Sequence, residues 1–370
     1  MKNTAIICGT PYQAYNALNM IYNDQNNSSI DVFFFDRFEL AKTLSDNFKN
    51  VSKVNKTILL KDYKKDEVFG RTLKGIIKNI HSAWIYLRPK KSIKAYFNSE
   101  TEWKYVLMDD RYERILAPTP SFFLQCLEKI NSNAVLDYYE DGMGSYSGDF
   151  NKDFASTGRK FFSKIFKVGY NVIPVSSLFI YRPEICTSTV AGTMKKLPSP
   201  CSDFSNMAAK VFDVRTDYKP VSEGVLWFGE FHYRDIDLQI INIIRECGHK
   251  VTIRMHPKSK DREEYIKLGL PFDDEKMMWE ISISGNDFSG VTLIGSHSTA
   301  MITPKLLYNI EPIIVMTYKL YHFADNRYLS RIEAFADQIK ALYSDSSRVF
   351  IPSGIDELRD IFKNLNRTDK

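Results

Sequence analysis

The sequence predicts an α/β protein made of two doubly wound halves. Short apolar runs of strand length alternate with amphipathic stretches of helix length, the signature of parallel sheets covered by helices. The rhythm lapses near residue 186 and restarts at residue 225. A chain of 370 residues also suits two domains of roughly 150–200 residues better than one core.

The elements follow in order. Thr4–Cys8 is apolar on both faces, as a buried parallel strand requires, and Gly9-Thr10-Pro11 ends it. A helix is expected from Tyr12 to Tyr22, then a strand over Asp31–Phe35, a helix over Glu39–Asn47 and a strand over Lys56–Leu60. Tyr105–Met108 reads as a further strand, Ser121–Ile130 as a helix, and Ala134–Tyr138 as a strand that runs into Glu140-Asp141-Gly142. Residues 191–222, with Pro198-Ser199-Pro200 and Lys219-Pro220, read as a linker between domains 1–190 and 223–348. In the second half, strands are expected at Val225–Phe228, Val251–Met255, Val291–Ile294 and Pro312–Met316. Helices are expected at Asp235–Cys247, stopped by Gly248, and at Thr299–Tyr308. A final helix within 349–370 starts after Ser353. Two α/β halves, a linker and a terminal helix describe a GT-B-like architecture, with ligand expected in the cleft between the domains beyond the carboxyl ends of the strands.

Composition narrows the function class. A net charge of +5 is far from that of a dedicated nucleic-acid binder, so no nucleic-acid partner is expected. Five widely spaced cysteines without a CxxC suggest neither disulfides nor zinc. With no apolar run of membrane-spanning length, a cytoplasmic protein is expected. The basic, aromatic stretches 70–98 and 159–167 allow a peripheral contact with the cytoplasmic face of the inner membrane. No particular oligomeric state is implied.

Three constellations at strand exits carry chemistry. In Glu140-Asp141-Gly142, adjacent side chains of an extended segment point to opposite sides, so one carboxylate can tie down the loop while the other faces a ligand as general base. In Arg254-Met255-His256-Pro257-Lys258, a histidine between two cations can meet a phosphate, and Pro257 stiffens the turn. In Gly295-Ser296-His297-Ser298-Thr299, a glycine turn leads into a hydroxyl-bearing helix start, whose N–H groups and dipole favour phosphate.

With these motifs in this order, the chain resembles the bacterial sialyltransferases, glycosyltransferase family 52 in particular. The opening Cys8-Gly9-Thr10-Pro11-Tyr12-Gln13 resembles that family's first strand and loop. The resemblance implies a GT-B fold of two Rossmann-like domains, in which the C-terminal helix can return to the first domain. It also implies a CMP-sialic acid co-substrate, a glycan acceptor such as a capsule or lipooligosaccharide, inversion at the anomeric carbon, and neither metal nor cofactor. By similarity Asp141 is the general base, with Glu140 and Gly142 supporting it, and His256 is the general acid or charge partner of the departing phosphate. Ser298 and Thr299 hold that phosphate, and Ser296 or His297 can join them. Gly229, Glu230, Pro257 and Glu280 lie near the nucleotide, while Gly9, Thr10, Pro11 and Gln13 form a loop on the acceptor side. The residues leave three alternatives open. One is a different CMP- or nucleotide-sugar donor, and another is a metal site built on Asp109-Asp110 or Asp137. The third is a non-catalytic nucleotide- or glycan-binding module. A dehydrogenase is disfavoured, because no GxGxxG follows a strand.

Overall fold

The structure, a computed structural model, describes residues 3–26, 28–61, 89–108, 111–147, 175–188, 192–214, 221–229, 235–256, 259, 262–273, 277–323 and 326–368. It divides into two compact units, Met1–Pro198 and Ser199–Lys370.

The first unit opens with strand β1 (Asn3–Cys8), helix α1 (Pro11–Asn23), β2 (Ser29–Phe35), α2 (Ala41–Phe48) and β3 (Val54–Leu60). Short helices α3 (Pro89–Ile93) and α4 (Glu100–Val106) precede β4 (Arg114–Ala117), α5 (Phe122–Ile130), β5 (Val135–Tyr139) and α6 (Met143–Ser147). Strands β6 (Ser177–Ile180) and β7 (Thr193–Lys196) complete a seven-stranded sheet. Its order is β3-β2-β1-β4-β5-β6-β7 and every neighbouring pair is parallel. This is the Rossmann order, which reverses direction between β1 and β4. The central strands carry apolar side chains on both faces: Ile6, Ile7, Val32, Phe33 and Phe34 are all buried.

Helix α1 begins where its sequence prescribes. Thr10 is extended and its hydroxyl accepts from the Gln13 N–H at 3.2 Å, and Pro11 occupies the first turn. The expected strand Tyr105–Met108 is not one, because Tyr105 and Val106 close helix α4. Ser99 caps that helix by accepting from the Glu102 N–H at 3.2 Å, and Glu100 and Glu102 favour its N-terminal dipole. The strand that belongs there is β4, one turn further on.

The second unit contains α7 (Ser202–Val211), β8 (Gly224–Phe228), α8 (Asp235–Glu246), β9 (Val251–Arg254), α9 (Arg262–Lys267) and α10 (Trp279–Ser282). It continues through β10 (Val291–Gly295), α11 (Thr299–Tyr308), β11 (Ile313–Met316), α12 (Asn326–Leu342), β12 (Val349–Phe350) and α13 (Ile355–Thr368). The sheet is parallel with order β12-β11-β10-β8-β9, so its direction reverses between β8 and β10. One side of the core joins Trp227, Ile240, Ile244 and Ile253 to Leu358 and Phe362 of α13. The terminal helix thus buries its apolar stripe in the core of the second unit. The stretch 191–222 is more structured than a linker: Thr193–Lys196 is the edge strand of the first sheet, and Ser202–Val211 is a helix. No helix among the described residues is long and apolar enough to cross a membrane.

Candidate active site

In open α/β sheets, ligands bind beyond the carboxyl ends of the strands where the strand order reverses. In the first unit that place is the exit of β1 and β4, beside the exit of β5. Two of the motifs read from the sequence meet there. The Gly9 N–H donates to Gln13 Oε1 at 2.6 Å, and Gln13 Nε2 donates to Asp141 Oδ1 at 2.7 Å. The loop after β1 and the acidic motif after β5 are thus joined through one amide.

The two acidic side chains diverge as strand alternation requires. Glu140 is completely buried. Its Oε1 accepts from the Tyr12 hydroxyl at 2.6 Å, and its Oε2 accepts from the Tyr146 hydroxyl at 2.6 Å and the Tyr181 N–H at 3.0 Å. Burial pushes its carboxyl up to about 7, against the pull of those donors. Asp141 is partly exposed, and its N–H donates to Ser145 Oγ at 2.7 Å. Gly142 holds φ at +89°, a left-handed conformation that glycine adopts without penalty. It turns the chain into α6, which carries Ser145 and Tyr146 back toward the two carboxylates.

Asn16 and Tyr181 were missed in the sequence, and Tyr12 and Tyr146 stood in its motifs without a role, yet the four build this corner. Asn16 Nδ2 donates to the Glu140 carbonyl at 2.9 Å, and the Tyr181 hydroxyl donates to Asn16 Oδ1 at 2.9 Å. A signal was present: Gln13, Asn16, Asn19 and Asn23 form a polar stripe at helical spacing on α1, and the first three are buried.

In the second unit the reversal lies at the exits of β8 and β10. Gly295 ends β10, and a Cβ there would sit 3.1 Å from the Phe228 carbonyl oxygen and 3.1 Å from Met301 Sδ. The approach of β8, β10 and α11 is thus tighter than a side chain usually meets, and a Cβ would have to push its neighbours by a few tenths of an ångström. Ser298 is the N-cap residue of α11, but its side chain makes no capping hydrogen bond, and Thr299 opens the first turn. Both are partly exposed. Ser296 is 1% exposed, and its hydroxyl pairs with His297 Nδ1 at 2.7 Å, while Tyr328 Oη pairs with His297 Nε2 at 2.8 Å. Gly229, just past β8, donates its N–H to the Arg254 carbonyl at 2.9 Å.

His256 follows β9 and is partly exposed, and its carbonyl accepts from the Ser259 N–H at 2.9 Å. The flanking Arg254 does not join it as a phosphate ligand. Its guanidinium is buried and donates to Asp273 Oδ2 and to the Met277 carbonyl. The half-buried Glu280 lies on α10 beside Trp279, whose ring packs against Phe228 and whose Nε1 donates to the Ala300 carbonyl at 2.7 Å. Burial pushes the Glu280 carboxyl up to about 7, with Arg254 opposing. Glu230, Pro257, Lys258, Asp109 and Asp110 lie outside the described residues, as do residues 70–88 and 159–167 of the basic stretches. Asp137 is engaged by Arg114, whose Nε and Nη2 both reach Oδ2 at 2.7 Å. Among the described residues, no group of three or more His, Cys, Asp or Glu side chains is placed to hold a metal ion.

No family model matches the chain, and no curated protein does. Solved structures do. An alpha/beta-galactoside alpha-2,3-sialyltransferase from the luminous marine bacterium Photobacterium phosphoreum matches with a TM-score of 0.51 at 10% identity, over 95% of this chain and 98% of that one. The fold is GT-B. The glycosyltransferase SsfS6 of Streptomyces sp. SF2575, complexed with thymidine diphosphate, matches with a TM-score of 0.48 at 9% identity, over 99% of this chain and 100% of that one. MurG of Acinetobacter baumannii matches with a TM-score of 0.47 at 9% identity, over 100% of this chain and 90% of that one. A GT-B chain has two Rossmann-like sheets, and both motif-bearing ends here lie at the exits of such sheets.

Proposed function

We propose that this protein is an inverting, metal-independent glycosyltransferase. In this reading it transfers sialic acid from CMP-Neu5Ac to a terminal, galactose-type hydroxyl of a bacterial surface glycan such as a capsule or lipooligosaccharide. The observation that carries the reading is the division of the acidic pair. Glu140 is consumed by three donors in the core, while Asp141 stays accessible at the exit of β5, beside the reversal of the sheet. A carboxylate in that position suits a general base. Within the second unit, α11 offers a helix N-terminus whose N-cap residue, Ser298, makes no side-chain capping hydrogen bond, which suits a phosphate.

The acceptor oxygen attacks the anomeric carbon, and its proton passes to Asp141. The bond from that carbon to the phosphate oxygen breaks, and its electron pair leaves with CMP. His256 donates a proton or hydrogen bond to the departing phosphate. Ser298, Thr299 and the first N–H groups of α11 stabilise the charge that grows there. Since Ser296 is buried against His297, the hydroxyls of this cradle are those of Ser298 and Thr299. Gly229 and Glu280 flank the nucleotide, and the Gly9–Gln13 loop lies on the acceptor side. The peripheral membrane contact remains part of the reading, through the basic residues near Lys90, Lys91 and Lys94.

The test is a donor screen on purified protein with a galactose-ended acceptor and EDTA present. CMP-Neu5Ac should turn over where UDP- and GDP-sugars do not. Asp141→Asn and His256→Ala should each lower kcat by about 10²–10⁴-fold while remaining folded. Turnover of a UDP-sugar in place of CMP-Neu5Ac, or full activity of Asp141→Asn, would overturn the assignment. CMP binding without release in the presence of acceptor would favour a non-catalytic module.

A further inference from the structure

We infer that Gln13 is a positioning residue for the Asp141 carboxylate, acting through an amide anchored on the Gly9 backbone. The inference rests on the assignment of Asp141 as base and deepens it. Three observations support it, all within the first unit.

First, the orientation of the amide is determined. An N–H is only a donor, so the contact of Gly9 N at 2.6 Å must be made to Oε1. The Gln13 NH₂ group then has to face Asp141 Oδ1, at 2.7 Å. Second, Gln13 is itself immobile. It is 6% exposed, its N–H is held by the Thr10 hydroxyl, and it sits in the capped first turn of α1. The anchor is tight as well: a Cβ on Gly9 would come within 3.3 Å of Gln13 Oε1. Third, the chemistry suits a base. An amide donor directs one carboxylate oxygen without neutralising its charge, whereas a cation there would pull the carboxyl toward weak basicity. Few side chains other than glutamine reach both the β1 exit and the β5 exit while donating to one and accepting from the other.

The test pairs two variants. Gln13→Glu has almost the same shape and keeps the acceptor for the Gly9 N–H, but it sets a second carboxyl against Asp141 Oδ1. Two carboxyls at that separation share a proton, so the acidic limb of the kcat/KM profile should move to higher pH by about one unit or more. Gln13→Leu removes the donor and should lower kcat about tenfold to a hundredfold with donor KM unchanged, since a catalytic group misplaced by about 1 Å can cost that much. A merely structural role would lower the thermal midpoint without moving the acidic limb, and near-UV circular dichroism checks that each variant is folded. In an Asp141→Asn background, Gln13→Leu should add no further loss. If Gln13→Glu and Gln13→Leu keep the wild-type limb and kcat while Asp141→Asn is inactive, the positioning role fails and the base assignment stands. If Asp141→Asn is itself active, the base assignment fails and takes this inference with it.

Discussion

Replacing Glu140 by glutamine should change the slope of stability against pH more than stability itself. The native carboxyl is buried and pushed from 4.5 up to about 7, a difference equivalent to about 3 kcal/mol. The sign follows from proton uptake. Below pH 4.5 both folded and unfolded chains hold the proton, and the group imposes no penalty. Between 4.5 and 7 the unfolded chain releases it while the folded chain keeps it, so stability falls as pH rises, and above 7 the whole amount is lost. Glutamine stays neutral throughout. Its carbonyl can accept from the Tyr146 hydroxyl and the Tyr181 N–H, but its NH₂ faces Tyr12, which must turn to accept instead of donating. That rearrangement costs about 1 kcal/mol. Glu140→Gln should therefore be slightly less stable than wild type at pH 5 and more stable by about 2 kcal/mol at pH 8. Urea unfolding of both proteins at the two pH values measures it. Glu280, also pushed up to about 7, tilts both proteins equally, so the difference between them isolates Glu140. Parallel pH dependences for the two proteins would refute the reasoning.

Arg254→Met should lower stability by about 3–5 kcal/mol in the same urea assay, because Asp273 loses the guanidinium that it faces in the core. A loss below about 1 kcal/mol would mean that the pair is solvated. Thr10→Ala should cost about 1 kcal/mol through loss of its cap on α1, while Ser298→Ala, which removes no capping bond, should stay within about 0.5 kcal/mol of wild type yet raise donor KM. Equal thermal shifts for the two would contradict the caps described. Gly295→Ala should destabilise by about 1–3 kcal/mol, since its Cβ meets the Phe228 carbonyl at 3.1 Å. An unchanged thermal midpoint would show that the strands can part there.

Much of the fold was legible because parallel sheets write themselves plainly. β1, β2 and β10 are buried on both faces and read as largely apolar runs, interrupted by Asp31 in β2 and Thr292 in β10, and Gly248 and Thr10 mark helix ends through chemistry that a sequence displays. Elements lacking such marks were lost. β7, Thr-Met-Lys-Lys, is an edge strand exposed at every position, so no burial pattern could announce it. Tyr105–Met108 failed for the opposite reason: four apolar residues in a row have no readable period, and the serine cap six residues upstream decided the matter. At the site, the spacing of the motifs was legible, but the partners of each side chain were not. Arg254 flanks His256 two residues upstream and adds to the cationic look of that motif, yet its guanidinium is held in the core by Asp273 and the Met277 carbonyl.

The divergence of neighbouring side chains explains how two adjacent acids coexist just past β5. Were both ionised at close quarters, each would disfavour the charge of the other, and Asp141 does raise the carboxyl of Glu140. Burial resolves the conflict by placing most of the burden on one member. Below about pH 7 Glu140 largely keeps its proton, so the loop that carries Asp141 rests on a neutral carboxyl. Above that pH, ionisation of Glu140 puts a negative charge in the buried corner behind the loop and weakens the fold that holds it. If the proposed reaction takes place at this corner, its activity should decline with thermal stability as pH rises above neutrality. In Glu140→Gln that decline should be removed, because glutamine stays neutral across the range.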